Sequence, residues 1–200
     1  MFRLLIAIVV AALSLTGCAG LRLVDTDVRS YASAPLVPAG ARYRFERLPS
    51  QQVNPAQQSR LETLTQQALA RVGLQRHDGA ATYSVLVSAG LRVDPYAPWD
   101  LPYNDWSPSW NLGWGIGGGR GGLSFLLGFG GRGALPYYSR ELTLVMRHLG
   151  TGQVVFETHA AHAGRWADSE AVWPAMVEAA LSGFPNPPPG VRRVNLEIPR

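Results

Sequence analysis

The spacing of apolar residues along the chain predicts three strands in its first half. A short run over residues 21–28 indicates a first strand. Tyr43 and Phe45 then alternate with charged neighbours, which is the period-two pattern of a half-buried strand. A longer alternation of apolar and polar side chains over residues 83–93 predicts a long third strand.

Two further alternating segments predict a β-hairpin. Apolar residues alternate with polar ones over residues 138–147 and again over residues 154–160. The Gly-Thr-Gly sequence at residues 150–152 is typical of a tight connection between such strands. Apolar residues also alternate over residues 194–198, which indicates either a last strand or an ordered tail.

Two segments have the pattern of helices packed on a core. Asn54 followed by Pro55 is typical of a helix N-terminus, and Gly73 is typical of a helix end. At helical spacing, the apolar residues between them fall on one face, which consists of Leu61, Leu64, Ala68, Leu69 and Val72. A second helix is predicted over residues 170–181, and we expect Pro174 to lie in its first turn because a later proline would remove a backbone hydrogen bond.

This order of elements predicts an α+β fold. We expect a single mixed or antiparallel sheet with two helices packed on one face. The domain would cover residues 41–185, including an insertion between strands at residues 95–136 that is rich in Gly, Trp and Pro. Residues 18–40 would form a tether that carries the first strand, and residues 186–200 a Pro-rich tail.

Residues 1–17 have the pattern of a secretion signal peptide. An Arg precedes an apolar run that is too short to span a bilayer, and small residues follow it. The sequence Leu15-Thr16-Gly17-Cys18 resembles the lipobox of bacterial lipoproteins, and Cys18 is the only cysteine. The resemblance implies cleavage before Cys18, a diacylglyceryl group on its thiol and an acyl chain such as palmitate on its amino group.

The lipobox also implies a location. Several acyl chains anchor a protein stably, whereas a single chain does so only marginally. Position 19 is Ala, and in the general sorting rule for such lipoproteins an Asp there retains the protein at the inner membrane. We therefore expect an outer-membrane lipoprotein whose domain faces the periplasm.

The charge of the chain excludes one class of partner. It has 18 basic and 14 acidic residues, for a formal charge of +4, and every basic residue is Arg. The arginines are scattered, and Arg192-Arg193 is the only adjacent pair. We therefore expect no nucleic-acid partner. Because no carboxylate cluster or cofactor motif is visible, we also expect no metal and no cofactor.

The insertion at residues 95–136 is the most unusual segment. Aromatic residues and prolines crowd its first half, and residues 113–133 hold 11 of the 22 glycines. It is interpreted as a loop, or alternatively as a surface for membrane or partner, because Trp and Tyr favour interfaces. The residues of that surface would be Trp99, Tyr103, Trp106 and Trp110. The glycine run lacks the Lys-Ser/Thr of a phosphate loop.

The sequence shows no catalytic constellation. His159 and His162 are three residues apart in a predicted strand, so their side chains should lie on opposite faces and cannot share a metal. Cys18 is assigned to lipid. An enzyme, such as a hydrolase whose site is assembled from distant residues, is therefore the less favoured interpretation.

A series of motifs supports a family resemblance. In chain order they are Val24-Asp25-Thr26-Asp27, Tyr31, Tyr43-Arg44-Phe45, Gly73, the alternating Tyr83, Val85 and Val87, Gly164-Arg165-Trp166 and Phe184-Pro185. Over residues 21–185 this pattern resembles the domain-of-unknown-function 4136 family of bacterial envelope lipoproteins, with departures at Leu48-Pro49 and in residues 187–200. That family has no established activity, so the resemblance implies fold and envelope location but no mechanism.

These features together predict a membrane-anchored, non-enzymatic envelope lipoprotein. Its periplasmic domain would interact with an envelope protein or maintain the envelope. The alternative is a lipid- or glycan-binding module that uses the four aromatic residues of the insertion as a stacking surface.

Overall fold

The computed structural model describes residues 20–94 and 136–199. Seven strands form one sheet: β1 (Leu21–Ala32), β2 (Arg42–Phe45), β3 (Gln75–Arg76), β4 (Tyr83–Asp94), β5 (Tyr137–His148), β6 (Val154–Gly164) and β7 (Val191–Pro199). The α-helices are α1 (Pro55–Arg71) and α2 (Ser169–Ala180), and a 3-10 helix at Pro49–Gln52 precedes α1. The predicted α+β class is confirmed.

The sheet is mixed, with the order β3-β2-β4-β5-β6-β1-β7. Strand β2 pairs in parallel with β3 and with β4. The β4–β5, β5–β6, β6–β1 and β1–β7 pairs are antiparallel, and β5 and β6 form the predicted hairpin. The two-residue strand β3 was not predicted, because so short a segment cannot show an alternation of apolar and polar residues.

The first and last strands are integral to the sheet. We predicted a strand over residues 21–28, whereas β1 continues to Ala32 and lies between β6 and β7. Of the two interpretations of residues 194–198, the strand is confirmed, since β7 pairs with β1 over residues 191–199. The sheet therefore takes in parts of the segments that we had assigned to a tether and a tail.

Both helices pack on one face of the sheet. Helix α1 begins as predicted, because the Asn54 side chain accepts a hydrogen bond from the Gln57 amide, and the chain leaves the helix at Gly73 with a φ of 87°. The core between helices and sheet is aliphatic and aromatic; fully buried members include Leu69, Val85, Leu142, Leu144, Met146, Phe156 and Met176.

The expected position of Pro174 is wrong. Helix α2 starts at Ser169, with the Asp168 side chain accepting from the Ala171 amide, so Pro174 lies beyond the first turn. Proline has no amide hydrogen, and one helical hydrogen bond is therefore missing. The buried neighbours Val172 and Met176 hold this part of the helix on the sheet instead.

The helices are shorter than the strands that they cover. Strands β1, β4 and β5 each have 12 residues, and a strand of that length extends about 40 Å. Helix α2 also has 12 residues, but at the helical rise it extends only about 18 Å. Toward the end of β4, Leu91 and Val93 share the face of the buried Val85 and Val87 but are exposed. One end of the core face is thus left without a helix.

Stability at high pH should depend on Tyr43. Burial, opposed by Arg76 and reinforced by Asp78, raises the pKa of Tyr43 to about 12. The folded state therefore keeps this proton above pH 10, where the unfolded chain loses it, so stability falls as pH rises from 10 towards 12. Over that interval the linked loss should approach about 2–3 kcal/mol.

The measurement is urea unfolding of the wild type and Tyr43→Phe between pH 8 and 12. The Tyr43 hydroxyl has no hydrogen-bond partner among the described residues, so Phe should fit without loss. The variant should lack the additional decline above pH 10. Equal declines in the two proteins would contradict the assignment.

Candidate functional site

The residues that we predicted for lipidation and for an aromatic surface lie outside the described residues. They are Cys18, Trp99, Tyr103, Trp106 and Trp110. Their assigned roles remain predictions. The chain does leave the sheet for the insertion at a defined place, because Asp94 at the end of β4 pairs with Tyr137 at the start of β5.

The same end of the sheet carries two buried arginines. Arg22, near the start of β1, is 6% exposed, and Arg140 of β5 is 1% exposed. Arg140 lies directly opposite His162 of β6, which is also buried. We call Arg22, Arg140 and His162 the arginine cluster.

Arg140 fastens β5 to the start of α2. Its Nε donates to the Ser169 hydroxyl at 3.0 Å, and its Nη2 donates to the Trp166 carbonyl at 2.5 Å. The guanidinium also lies over the Tyr138 ring, 5.4 Å from its centroid. Its Nη1 is buried and has no hydrogen-bond partner among the described residues.

Arg22 has weaker contacts. Its guanidinium lies over the Trp166 ring at 5.2 Å, and its Nη2 is 3.7 Å from Oδ2 of Asp168, which is too long for a hydrogen bond. Within residues 20–94 and 136–199, its buried Nε and Nη2 have no hydrogen-bond partner. The other Asp168 oxygen, Oδ1, accepts from the Ala171 amide and caps α2.

The cluster has more positive than negative charge. Burial first, and the neighbouring Arg22 charge second, lower the pKa of Arg140, while Asp168 opposes this shift. The Asp168 side chain is 57% exposed, so water screens much of its charge. Two buried guanidinium groups therefore share one partly solvated carboxylate.

His162 completes the cluster on β6. Its Nδ1 lies 2.6 Å from the Asp25 carbonyl, which can only accept, so Nδ1 carries the hydrogen. Its buried Nε2 has no partner within the part of the chain that the structure describes. His159 lies on the exposed face against Glu157, which confirms that the two histidines face opposite ways. No group of three metal-ligating side chains occurs among the described residues.

The sequence pattern conceals the arginine cluster. In Leu21-Arg22-Leu23 the leucines would be expected inside, yet they are 60% and 55% exposed. Buried Val24 and Val28 fix the phase of β1 and turn Arg22 inward with them. Arg22, Val24 and Val28 are separated by even numbers of residues and so lie on one face of the strand. This spacing is the sequence signal that could have predicted a buried Arg22.

A groove of about 700 Å³ lies between the N-terminal parts of α1 and α2. Its lining mixes apolar and polar side chains, including Val53, Gln58, Leu61, Ala89, Glu170 and Trp173. Gln58 donates to the Val87 carbonyl at 3.1 Å and so ties α1 to β4. Among the described residues, the charged side chains that line the groove are Arg60 and Glu170, and both are largely exposed.

An ion pair between Arg47 and the buried Glu62 lies next to Gln58, which lines the groove. Arg47 donates to the two carboxylate oxygens of Glu62 at 2.6 and 2.7 Å, and Gln58 donates to the same carboxylate at 3.2 Å. Glu62 is buried, whereas Arg47 is about one-third exposed. This network joins α1 to the segment that follows β2, so its buried charge is explained by a structural role.

Comparison with known proteins assigns the chain to a family. The family DUF4136, a domain of unknown function, matches residues 25–186, and the chain belongs to it. No curated protein matches the chain. None of the helices in the described ranges has the length and apolar character needed to cross a membrane.

Solved structures are similar in fold. A PDZ domain protein from Parabacteroides distasonis matches with a TM-score of 0.51 and 12% identity over 95% of this chain and 42% of that one, so the chain spans less than half of its length. Two structures of the PelC dodecamer from Paraburkholderia phytofirmans, one of a point variant, give TM-scores of 0.44 and 0.43 at 11% and 12% identity. They cover 82% and 81% of this chain and 99% of their own. At 12% identity the likeness to the PDZ domain protein concerns the fold alone.

Removing the charge of Glu62 should destabilise the domain. In Glu62→Gln an amide group faces Arg47, so charge-assisted hydrogen bonds are lost at a cost of about 1–3 kcal/mol. Glu178→Gln is the matched control, because its pair with Arg71 is exposed and such pairs contribute under about 1 kcal/mol. Urea unfolding measures both, and equal effects would show that the buried pair has no special role.

Proposed function

We propose that this protein is a membrane-anchored, non-enzymatic lipoprotein of the bacterial envelope whose α+β domain interacts with an envelope partner in the periplasm. The observation that carries the proposal is the signal-peptide pattern that ends in Leu15-Thr16-Gly17-Cys18. The domain follows closely, since β1 begins at Leu21. Such spacing suits a folded module held at a membrane surface.

The location follows from Ala19, which lacks the inner-membrane retention character of Asp. Lipid on Cys18 would place the domain on the periplasmic side of the outer membrane. Several acyl chains make such anchoring stable, whereas a single chain gives only marginal, reversible binding.

The polar groups of the domain support a binding role over catalysis. Within residues 20–94 and 136–199, the Arg47–Glu62 network joins secondary-structure elements. The arginine cluster offers hydrogen-bond donors and positive charge, which suit recognition of an anion. Neither arrangement pairs a nucleophile with a general base.

Replacement of Cys18 tests the anchor. Cys18→Ala should remove the protein from the outer-membrane fraction and abolish incorporation of labelled palmitate, because the residue that is acylated is lost. Ala19→Asp is the matched control, which should stay lipidated but shift towards the inner membrane. Fractionation and immunoblotting measure both.

Retention of Cys18→Ala in the outer-membrane fraction would contradict lipid anchoring. Loss of membrane association with palmitate still incorporated would contradict it as well. A stable Cys18→Ala protein that is absent from the outer-membrane fraction and carries no palmitate is the supporting result.

A second candidate function is lipid or glycan binding through the aromatic insertion. The attachment of the insertion at Asp94 and Tyr137, the end of the sheet that holds the arginine cluster, favours it. The ligand would stack on Trp99, Tyr103, Trp106 and Trp110. Replacing these four by Leu should weaken binding of peptidoglycan fragments or lipid micelles by about one to four orders of magnitude, since each of the four rings contributes about 0.5–1.5 kcal/mol.

Calorimetry measures that binding without relying on tryptophan emission. The control is Trp173→Leu, which alters the groove between the helices and leaves the four aromatic residues in place. Unchanged affinity in the fourfold variant would exclude the insertion as the binding surface.

A further inference from the structure

We propose that Arg22 and Arg140, with His162 beside them, form a binding site for a phosphate group. The site lies at the end of the sheet where β1 begins, under the N-terminus of α2. It does not depend on the anchor or on the aromatic insertion.

Hydrogen-bond donors without partners are the first argument. Arg22 Nε and Nη2 and Arg140 Nη1 are buried, and none has a partner among the described residues. Buried charged groups in proteins are normally paired, because an unpaired donor loses its hydration with nothing in return. The nearest carboxylate to Arg22 in the described chain is that of Asp168, at 3.7 Å, while the largely exposed Asp25 carboxylate lies 3.4 Å from Nδ1 of His162.

The shape and charge of the cluster favour a phosphate. A guanidinium presents its N–H groups in a planar fork that matches two oxygens of a phosphate or carboxylate. The two guanidinium groups are near enough for the charge of Arg22 to lower the pKa of Arg140, so a group with three free oxygens and about two negative charges can satisfy more donors than a single carboxylate does. The Trp166 and Tyr138 rings lie against the two guanidinium groups and fix their planes.

The Asp168 carboxylate competes with a phosphate for Arg22. Its Oδ2 faces Arg22, yet the side chain is largely exposed and stays outside hydrogen-bond distance. A phosphate that enters beside Arg22 would displace this weak contact, while Oδ1 keeps capping α2. Neutralising Asp168 should therefore strengthen phosphate binding.

Two sources of phosphate are compatible with this position. Arg22 is four residues from Cys18, so the chain can separate them by no more than about 14 Å. If Cys18 is lipidated as proposed, the phosphate of a lipid headgroup lies within reach of the site. A soluble phosphate ester or inorganic phosphate would use the same donors.

The test uses the full chain in neutral detergent micelles, with inorganic phosphate as the probe and chloride at equal ionic strength as the reference. Wild type should bind phosphate saturably in calorimetry and melt at a higher temperature in its presence. Arg22→Gln should lower the affinity at least about tenfold, as expected for the loss of charge-assisted hydrogen bonds. Asp168→Asn should raise the affinity.

A matched control separates this site from general attraction to arginine. Arg192 of β7 also has buried, unpartnered Nε and Nη1 among the described residues, but it lies away from the cluster, where its Nη2 donates to Ser30 and to the Ser182 carbonyl. Arg192→Gln should leave phosphate affinity unchanged. An equal loss in Arg192→Gln and Arg22→Gln would overturn the proposal.

Folding of the variants is measured independently. Nε and Nη2 of Arg22 donate no hydrogen bond to the described residues, so without phosphate Arg22→Gln should melt close to wild type. A lower melting temperature together with unchanged phosphate binding would show a structural role for Arg22 and overturn the proposal. Arg140→Gln is not the primary variant, because it also breaks the bonds to Ser169 and Trp166.

Micelles that contain phosphatidic acid or phosphatidylcholine distinguish the sources. Stabilisation by phosphatidic acid that inorganic phosphate competes away, and that Arg22→Gln abolishes, identifies a lipid headgroup. Binding of inorganic phosphate alone identifies a soluble ligand. Absence of binding to either probe overturns the site, and this outcome leaves the Cys18→Ala result unaffected.

Discussion

The fold depends on covering one face of a long-stranded sheet with two shorter helices. Where the helices reach, aliphatic side chains fill the interface, as with Met146 and Met176. Where they do not, the same face of the strands must end in groups that tolerate partial solvation or have partners of their own. The exposed Leu91 and Val93 lie in that region, and the buried arginine cluster lies at its border, where Arg140 bonds to the start of α2. The unusual chemistry of the molecule is thus located by a mismatch between helical rise and strand rise.

The helices and the hairpin could be predicted because local signals determine them. Asn54 and Gly73 mark the limits of α1 through capping and a positive φ, and both act within a few residues. The phase of β1 was missed because Leu21 and Leu23 compete with Val24 and Val28 for the inward face, and pairing with β6 and β7 over the whole strand decides between the two. The expectation that Pro174 lies in the first turn of α2 was wrong for a related reason. Burial of α2 against the sheet stabilises the helix by more than the one missing hydrogen bond costs.

Two buried polar systems in this domain differ in how fully they are satisfied. Around Glu62, every carboxylate oxygen accepts from Arg47, and Gln58 adds a further bond. Around Arg22, donors outnumber acceptors among the described residues, and the nearest carboxylate is too far for a hydrogen bond. Completeness of hydrogen bonding separates a structural network from a candidate ligand site more reliably than residue type does, since both contain arginine and a carboxylate.

The pairing of β1 with β6 and β7 also constrains when the domain can fold. The strand nearest the N-terminus has no neighbour drawn from the first half of the chain, so its hydrogen bonds wait for residues beyond 154. Contacts of such long sequence separation are slow to form, because a large loop must close before they are gained. In a chain exported amino end first, as the proposed signal peptide would direct, β1 emerges early and stays unpaired until almost all of the protein has crossed. The complete sheet can therefore form only after translocation has finished.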